Sequence, residues 1–395
     1  MAKAQNSGSV WIIHLNFASV AILSAAFFVL SLVLAVLFGC QTSSWTWGPA
    51  LLSLLIAAAA GTWVLLRQPS RMLNPVILVL GILTLGWFSF RAILSPVKEF
   101  GEADLMLLGG ILGAFICVLA IQQCRRAHWT LTAGIAALLL ANLVVMLIQK
   151  MNPGWRPLLA NPTGATSITG FFFHYNYVAN YLLISSIWLL GEAWNSRQRL
   201  VQIILGTLGT MGMAAIWWTG SRGGLLAASI ALTCLGGVIL IEAKRSKARW
   251  FPAAAIAMPF MALLVLGLLF NGWQDIQAAK GLDESSAHRG LFDNTVRLIY
   301  LGAAASAVLS HPLAGGGSQS FSWECFQFLD RNDIGIYRTK PEYVHNEWLQ
   351  VATDYGLIGF GLLLGFLVAV GISAILRLCF EPKASSPKNR TDTMR

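Results

Sequence analysis

Ten stretches of this chain are apolar over about the twenty residues a helix needs to cross a bilayer. They run approximately over Ala18–Phe38, Trp47–Leu66, Pro75–Leu94, Ala103–Ile121, Trp129–Gln149, Phe171–Leu190, Leu200–Trp218, Gly223–Ile241, Phe251–Phe270 and Gly356–Leu376. With 56% hydrophobic and only 11% charged residues, the chain is too apolar for an ordinary soluble domain. The expected fold is therefore an all-α polytopic membrane protein of about ten transmembrane helices, within a range of ten to twelve.

Charge sets the orientation. Arg67/Arg71, Arg125/Arg126, Arg197/Arg199 and Lys244/Arg245/Lys247/Arg249 occupy every second loop, and the alternate short loops carry few cations. By the positive-inside rule both termini are cytoplasmic. The net charge of +10 belongs to these loops, and with no basic patch interleaved with aromatics nucleic acid is not an expected partner. Helices one to nine then fill residues 1–270, a long external loop follows at 271–346, the last helix spans 347–380, and 381–395 is a basic cytoplasmic tail. Within the external loop, Val296, Ile299, Tyr300, Ala303 and Val308 recur at helical spacing, which predicts a short helix over Thr295–Leu309 lying on or dipping into the membrane.

Several classes of chemistry are missing from the sequence. There is no Walker A motif, GxSxG, HExxH or DxD pair, so neither nucleotide-driven nor metal-held nucleotide-sugar chemistry is expected. The six cysteines show no zinc spacing and read as small hydrophobes. No metal and no cofactor is expected.

Five polar features remain. The turn Ser221-Arg222-Gly223-Gly224 reads either as an interfacial anchor or as an anion clamp, in which a guanidinium and a helix N-terminus share a phosphate. Arg297 lies in an apolar periodic stretch, where it needs either a salt bridge, to Asp293 or Glu324, or an anionic ligand. His311-Pro312-Leu313-Ala314-Gly315-Gly316-Gly317 is a helix stop with glycines, an ordinary turn or a place for close approach to a glycan or diphosphate. His345-Asn346 precedes the final span, and Asn346, Gln350 and Asp354 would form one polar face if that helix starts early. His345 is then either an interfacial side chain or a general base. In Phe171-Phe172-Phe173-His174-Tyr175-Asn176-Tyr177 the rings suit an aromatic belt, while Asn176 and Asn180 require partners, as interhelical glue or as a site.

Taken in order, Phe-His-Tyr-Asn-Tyr at 173–177, Ser-Arg-Gly-Gly at 221–224, Arg297, His311-Pro312-Leu313 with Gly315–Gly317, and His345-Asn346-Glu347 with Gln350 and Tyr355-Gly356-Leu357 resemble the ligase-type (Wzy_C) core of the O-antigen ligase and polymerase superfamily. The resemblance covers about 171–371. It implies a membrane glycosyltransferase in the bacterial inner membrane, with its active site facing the periplasm. The implied donor is a glycan on undecaprenyl diphosphate, and the acceptor is lipid A–core, another glycan or a protein. Arg222 and Arg297 resemble the arginines that hold the diphosphate, and His345 the histidine that activates the acceptor hydroxyl. Ser221, Gly223, Asn176, Gly316 and Asn346 complete the expected substrate-binding set. Alternatives are a repeat-unit polymerase or an exopolysaccharide or protein glycan ligase of the same superfamily and, from another class, a lipid-linked glycan flippase. A flippase would pair charges near midspan, whereas these spans hold few besides Arg91.

Overall fold

In the computed structural model, the described residues are 16–39, 44–68, 74–152, 155, 157, 168–246, 298–329 and 341–380. Their helices, in chain order, are α1 (Phe17–Leu34), α2 (Gly48–Arg67), α3 (Pro75–Ile93), α4 (Lys98–Ile121), α5 (Arg125–Met151), α6 (Tyr175–Asn195), α7 (Arg199–Thr219) and α8 (Arg222–Ser246), then α9 (Leu298–Ser310), the short α10 (Phe321–Glu324) and α11 (Glu347–Phe380). The protein is an all-α polytopic membrane protein. Nine of the ten expected spans coincide with helices, and Phe251–Phe270 lies outside the described residues. Among the described residues, seven helices are long and apolar enough to cross a membrane by themselves. The exceptions have a physical reason: α6 carries Asn176, Asn180 and several tyrosines, and the apolar part of α8 among the described residues is the shorter Gly223–Val238.

Two apolar cores hold the bundle. One joins α1, α2, α4 and α5 around Ala21, Ala57, Cys117 and Leu131. The other joins α5 to α8 around Leu139, Val178, Leu182 and Ile216. Because lipid is as apolar as these side chains, small residues and hydroxyls bring the helices together. Between α1 and α2, Ser24 Oγ donates to Ala57 O and Ser31 Oγ to Ala50 O, each at 2.8 Å. Between α6 and α7, Gly209 and Gly212 let the helices close onto Leu190 and Ser186. At the far end of α3, Asn74 caps the helix and donates to Ser373 of α11, so α3 and α11 lie side by side.

The described residues between α8 and α11 have a small core of their own. Tyr300, Ala303 and Ala304 of α9 pack with Phe321, Cys325, Leu329 and Val344. The helix expected over Thr295–Leu309 is present as Leu298–Ser310 among the described residues. Leu298 and Leu309, on its other face, are exposed.

The last helix is interrupted. Gly356 has φ 70° and ψ −179°, a region open almost only to glycine, and the helical ladder breaks there. Five backbone groups beside the break find partners outside the helix, as a site with little water favours. Gly316 N donates to Thr353 O and Gly317 N to Asp354 O, both at 2.9 Å, while Leu357 N donates to Pro312 O at 2.8 Å and Ile358 N to Leu313 O at 3.3 Å. Tyr355 O accepts from Trp87 Nε1 of α3 at 2.9 Å. Arg91 of α3 donates to Gly315 O at 2.8 Å. A Cβ on Gly315 would meet Asp354 O and Gly356 N at 2.5 Å, so the two chains can approach only through glycine.

Candidate functional site

The polar features converge at one end of the bundle, where α3, α5 and α7 finish and α4, α6, α8 and α11 begin. Two buried amides of α5 first build the approach to α6. Gln149 accepts from Thr169 N and Gly170 N and donates to Gly170 O, while Asn142 Oδ1 accepts from Phe171 N at 3.1 Å. Both side chains are 1% exposed. That turn delivers His174 as the N-cap of α6, its Nδ1 accepting from Asn176 N at 3.2 Å.

From α6 the network crosses to α8. Ser221 Oγ donates to Asn176 Oδ1 at 2.6 Å and accepts from Gly224 N at 3.0 Å, capping α8. Asn176 therefore fixes the N-terminus of α8 through Ser221. Gly224 faces Ala179, where a Cβ would lie 2.6 Å from the Ala179 Cβ, whereas Gly223 is exposed. Arg222 occupies the first helical position after this cap.

On the opposite side lies His345, exposed and held at φ 60°. Left-handed backbone costs a histidine about 1–2 kcal/mol, so the surroundings hold it there. Its ring stacks on Tyr300 with centroids 6.3 Å apart. Asn346 caps α11 by accepting from Leu349 N at 3.2 Å. Val344 N donates to Gln350 Oε1 at 2.9 Å, Gln350 Nε2 to Asp354 Oδ2 at 2.8 Å, and Ser320 Oγ to Asp354 Oδ1 at 3.0 Å. The polar face expected from the sequence exists because α11 begins at Glu347, and Gln350 and Asp354 turn it towards protein.

Electrostatics link the two sides. Burial pushes the His174 imidazole below its usual value, and nearby His345 lowers it further. Neutral His174 matches its role as an acceptor, because a protonated Nδ1 cannot cap α6. The sign follows directly: above pH 6.5 both folded and unfolded chains hold this imidazole neutral, and below it the unfolded chain takes the proton first. Stability is thus expected to fall as pH drops from 6.5, and less so in His174→Asn, which caps without titrating; melting curves in detergent across pH 5–8 check this. Tyr343, near Tyr177, Glu342, Glu347 and Asp104, has its phenol pushed up, chiefly by burial and then by these neighbours. Burial also raises the Glu324 carboxyl, opposed by His311, whose Nε2 lies 3.7 Å away.

Of the expected site residues, the structure brings Asn176 and Ser221 into one hydrogen-bonded unit at the start of α8, and places Asn346 beside His345. Gly316 is buried, with its N–H bonded to Thr353 O and its Cα against Ser320 and Glu324, within the packing that fills the α11 break. Arg297 lies outside the described residues, as does the side chain of Arg222. Sequence reasoning passed over Asn142, Gln149 and Trp87, and did not reach Asp104, which accepts from the Tyr355 hydroxyl. For the two amides the signal was available: an amide inside an apolar span must find a partner.

Residues 205–364 match the family model described as O-antigen ligase (Wzy_C). This stretch of a multi-pass membrane protein is therefore similar to the O-antigen ligase family over 160 of the 395 residues. The matched segment contains Ser221–Gly224, Arg297, the 311–317 run and 345–357, and leaves out the 173–177 motif. No curated protein and no solved structure matches the chain.

Proposed function

We propose that this protein moves a glycan from undecaprenyl diphosphate to an acceptor hydroxyl at the periplasmic face of the bacterial inner membrane. The observation that supports the reading is that His345, exposed at φ 60°, lies close enough to add to burial in lowering the His174 imidazole, at the start of α6 where Asn176 holds Ser221, the cap of α8. A helix N-terminus with Arg222 at its first position suits the departing diphosphate, with Arg297 as the second cation. Charge grows on the leaving diphosphate in the transition state, and fixed guanidinium groups stabilise it. His345 takes the proton of the acceptor hydroxyl while that oxygen attacks the anomeric carbon. Direct displacement inverts that carbon, and no metal is required. The acceptor is lipid A–core or another glycan or protein hydroxyl, and membrane lipid surrounds the donor's polyprenyl chain.

Purified protein reconstituted with lipid-linked donor and candidate acceptors tests the proposal. Transfer is expected to persist in chelator, and Arg222→Ala or Arg297→Ala to lower it by about 10²-fold or more while the protein still inserts. Full transfer by a well-folded Arg297→Ala protein, or loss of transfer in chelator, would overturn it.

A further inference from the structure

His345 stands in a backbone conformation that its own residue type disfavours, and its immediate neighbour shows what holds it. Val344 is 1% exposed, and its N–H does not enter the α11 ladder but donates to Gln350 Oε1 at 2.9 Å. Gln350 is oriented from its other end, where Nε2 donates to Asp354 Oδ2 at 2.8 Å. Asp354, 4% exposed, accepts on Oδ1 from Ser320 Oγ at 3.0 Å and from Phe321 N at 3.5 Å. Its backbone carbonyl is held in turn by Gly317 N. A continuous chain of hydrogen bonds therefore runs from the start of α10 through the break in α11 to the peptide that precedes His345. The Val344 N–H can only donate, so the Gln350 amide must present its oxygen to it and its Nε2 to the Asp354 carboxyl one turn on.

We propose that Gln350 and Asp354 are positioning residues that aim His345 at the acceptor hydroxyl. This rests on the reading of His345 as the general base. Neither side chain takes a proton from substrate; their work is to hold the Val344–His345 peptide so that the imidazole does not wander. A misplacement of about 1 Å at a reacting group costs about 10²-fold in rate.

The pair can be inverted without losing a bond. In Gln350→Glu combined with Asp354→Asn, the new carboxylate still accepts from Val344 N. The new amide donates back to it, and its oxygen still accepts from Ser320 and Phe321. Gln350→Glu alone sets two carboxylates one turn apart, and Asp354→Asn alone sets two amide donors against each other. With reconstituted full-length protein and lipid-linked donor, each single variant is expected to lose about 10–100-fold in kcat with KM for the donor unchanged. The double variant is expected to recover to within a few-fold of the parent. Single variants with parental kcat, or a double variant that melts normally yet is no better than the singles, would overturn the inference. If a single variant fails to accumulate in membranes, the double decides alone, since a folded double with low kcat refutes the pairing. His345→Ala, measured in parallel, separates the two levels: its retained transfer removes the general-base reading itself, whereas its loss beside unaffected Gln350 and Asp354 variants removes only their positioning role.

Discussion

His345→Ala is expected to lower glycan transfer by about 10²–10⁴-fold, the range contributed by a positioned general base, while leaving donor binding nearly unchanged. The imidazole is exposed at the end of the bundle, and its only described ring contact is the stacking on Tyr300. Removing it leaves no buried cavity, so the loss should appear in kcat and not in folding. It should also relieve an unfavourable backbone conformation only slightly, because alanine tolerates φ 60° no better than histidine. Single-turnover transfer, with melting temperature and donor affinity measured on the same preparation, checks each part. A variant that binds donor normally and turns over at the parental rate would remove His345 from the chemistry.

Gly356→Ala is expected to be the most damaging single change to the fold. Its Cβ would stand 2.2 Å from Leu313 O and 2.6 Å from Ala314 N, in a backbone region that costs a non-glycine residue of order 1–3 kcal/mol before any clash. Relief is available only by pulling 312–317 away from α11. That strands the carbonyls of Thr353 and Asp354 and the N–H groups of Leu357 and Ile358. Each stranded group away from water costs about 1–3 kcal/mol. Yield in membranes and melting temperature in detergent should both fall, and Gly223→Ala, whose Cβ would meet nothing within 4 Å, provides the control for a glycine lost without packing cost. A Gly356→Ala protein that melts like the parent would show that the break does not depend on glycine.

The helices were legible in the sequence because nearly every span is uniformly apolar, and that pattern survives any rearrangement of their packing. The start of α11 was legible too, from the four-residue spacing of Asn346, Gln350 and Asp354. What the polar groups do was much less so. The 311–317 run read as an open turn or a ligand cradle, yet Gly315, Gly316 and Gly317 are packed against the interrupted helix. Nothing local in the run could reveal this, since its partners lie some forty residues later, at 353–358, and in α3 at Arg91. Asn176 was recognised as needing a partner, but the choice of Ser221, 45 residues away, is a matter of how α6 and α8 meet.

The exchange of hydrogen bonds at the α11 break also constrains the order of assembly. Synthesis proceeds from the N-terminus, so 312–317 emerges before 353–358 and has none of its α11 partners when it is first made. The last span is equally incomplete alone, because the carbonyls at its break wait for Gly316, Gly317 and Trp87. Closing this end of the bundle and seating the final helix are therefore one event. A chain stopped short of Thr353 would have most of its spans and His345, but the arm that carries α9 and α10 would lose its bonds to α11 and keep the one from Arg91.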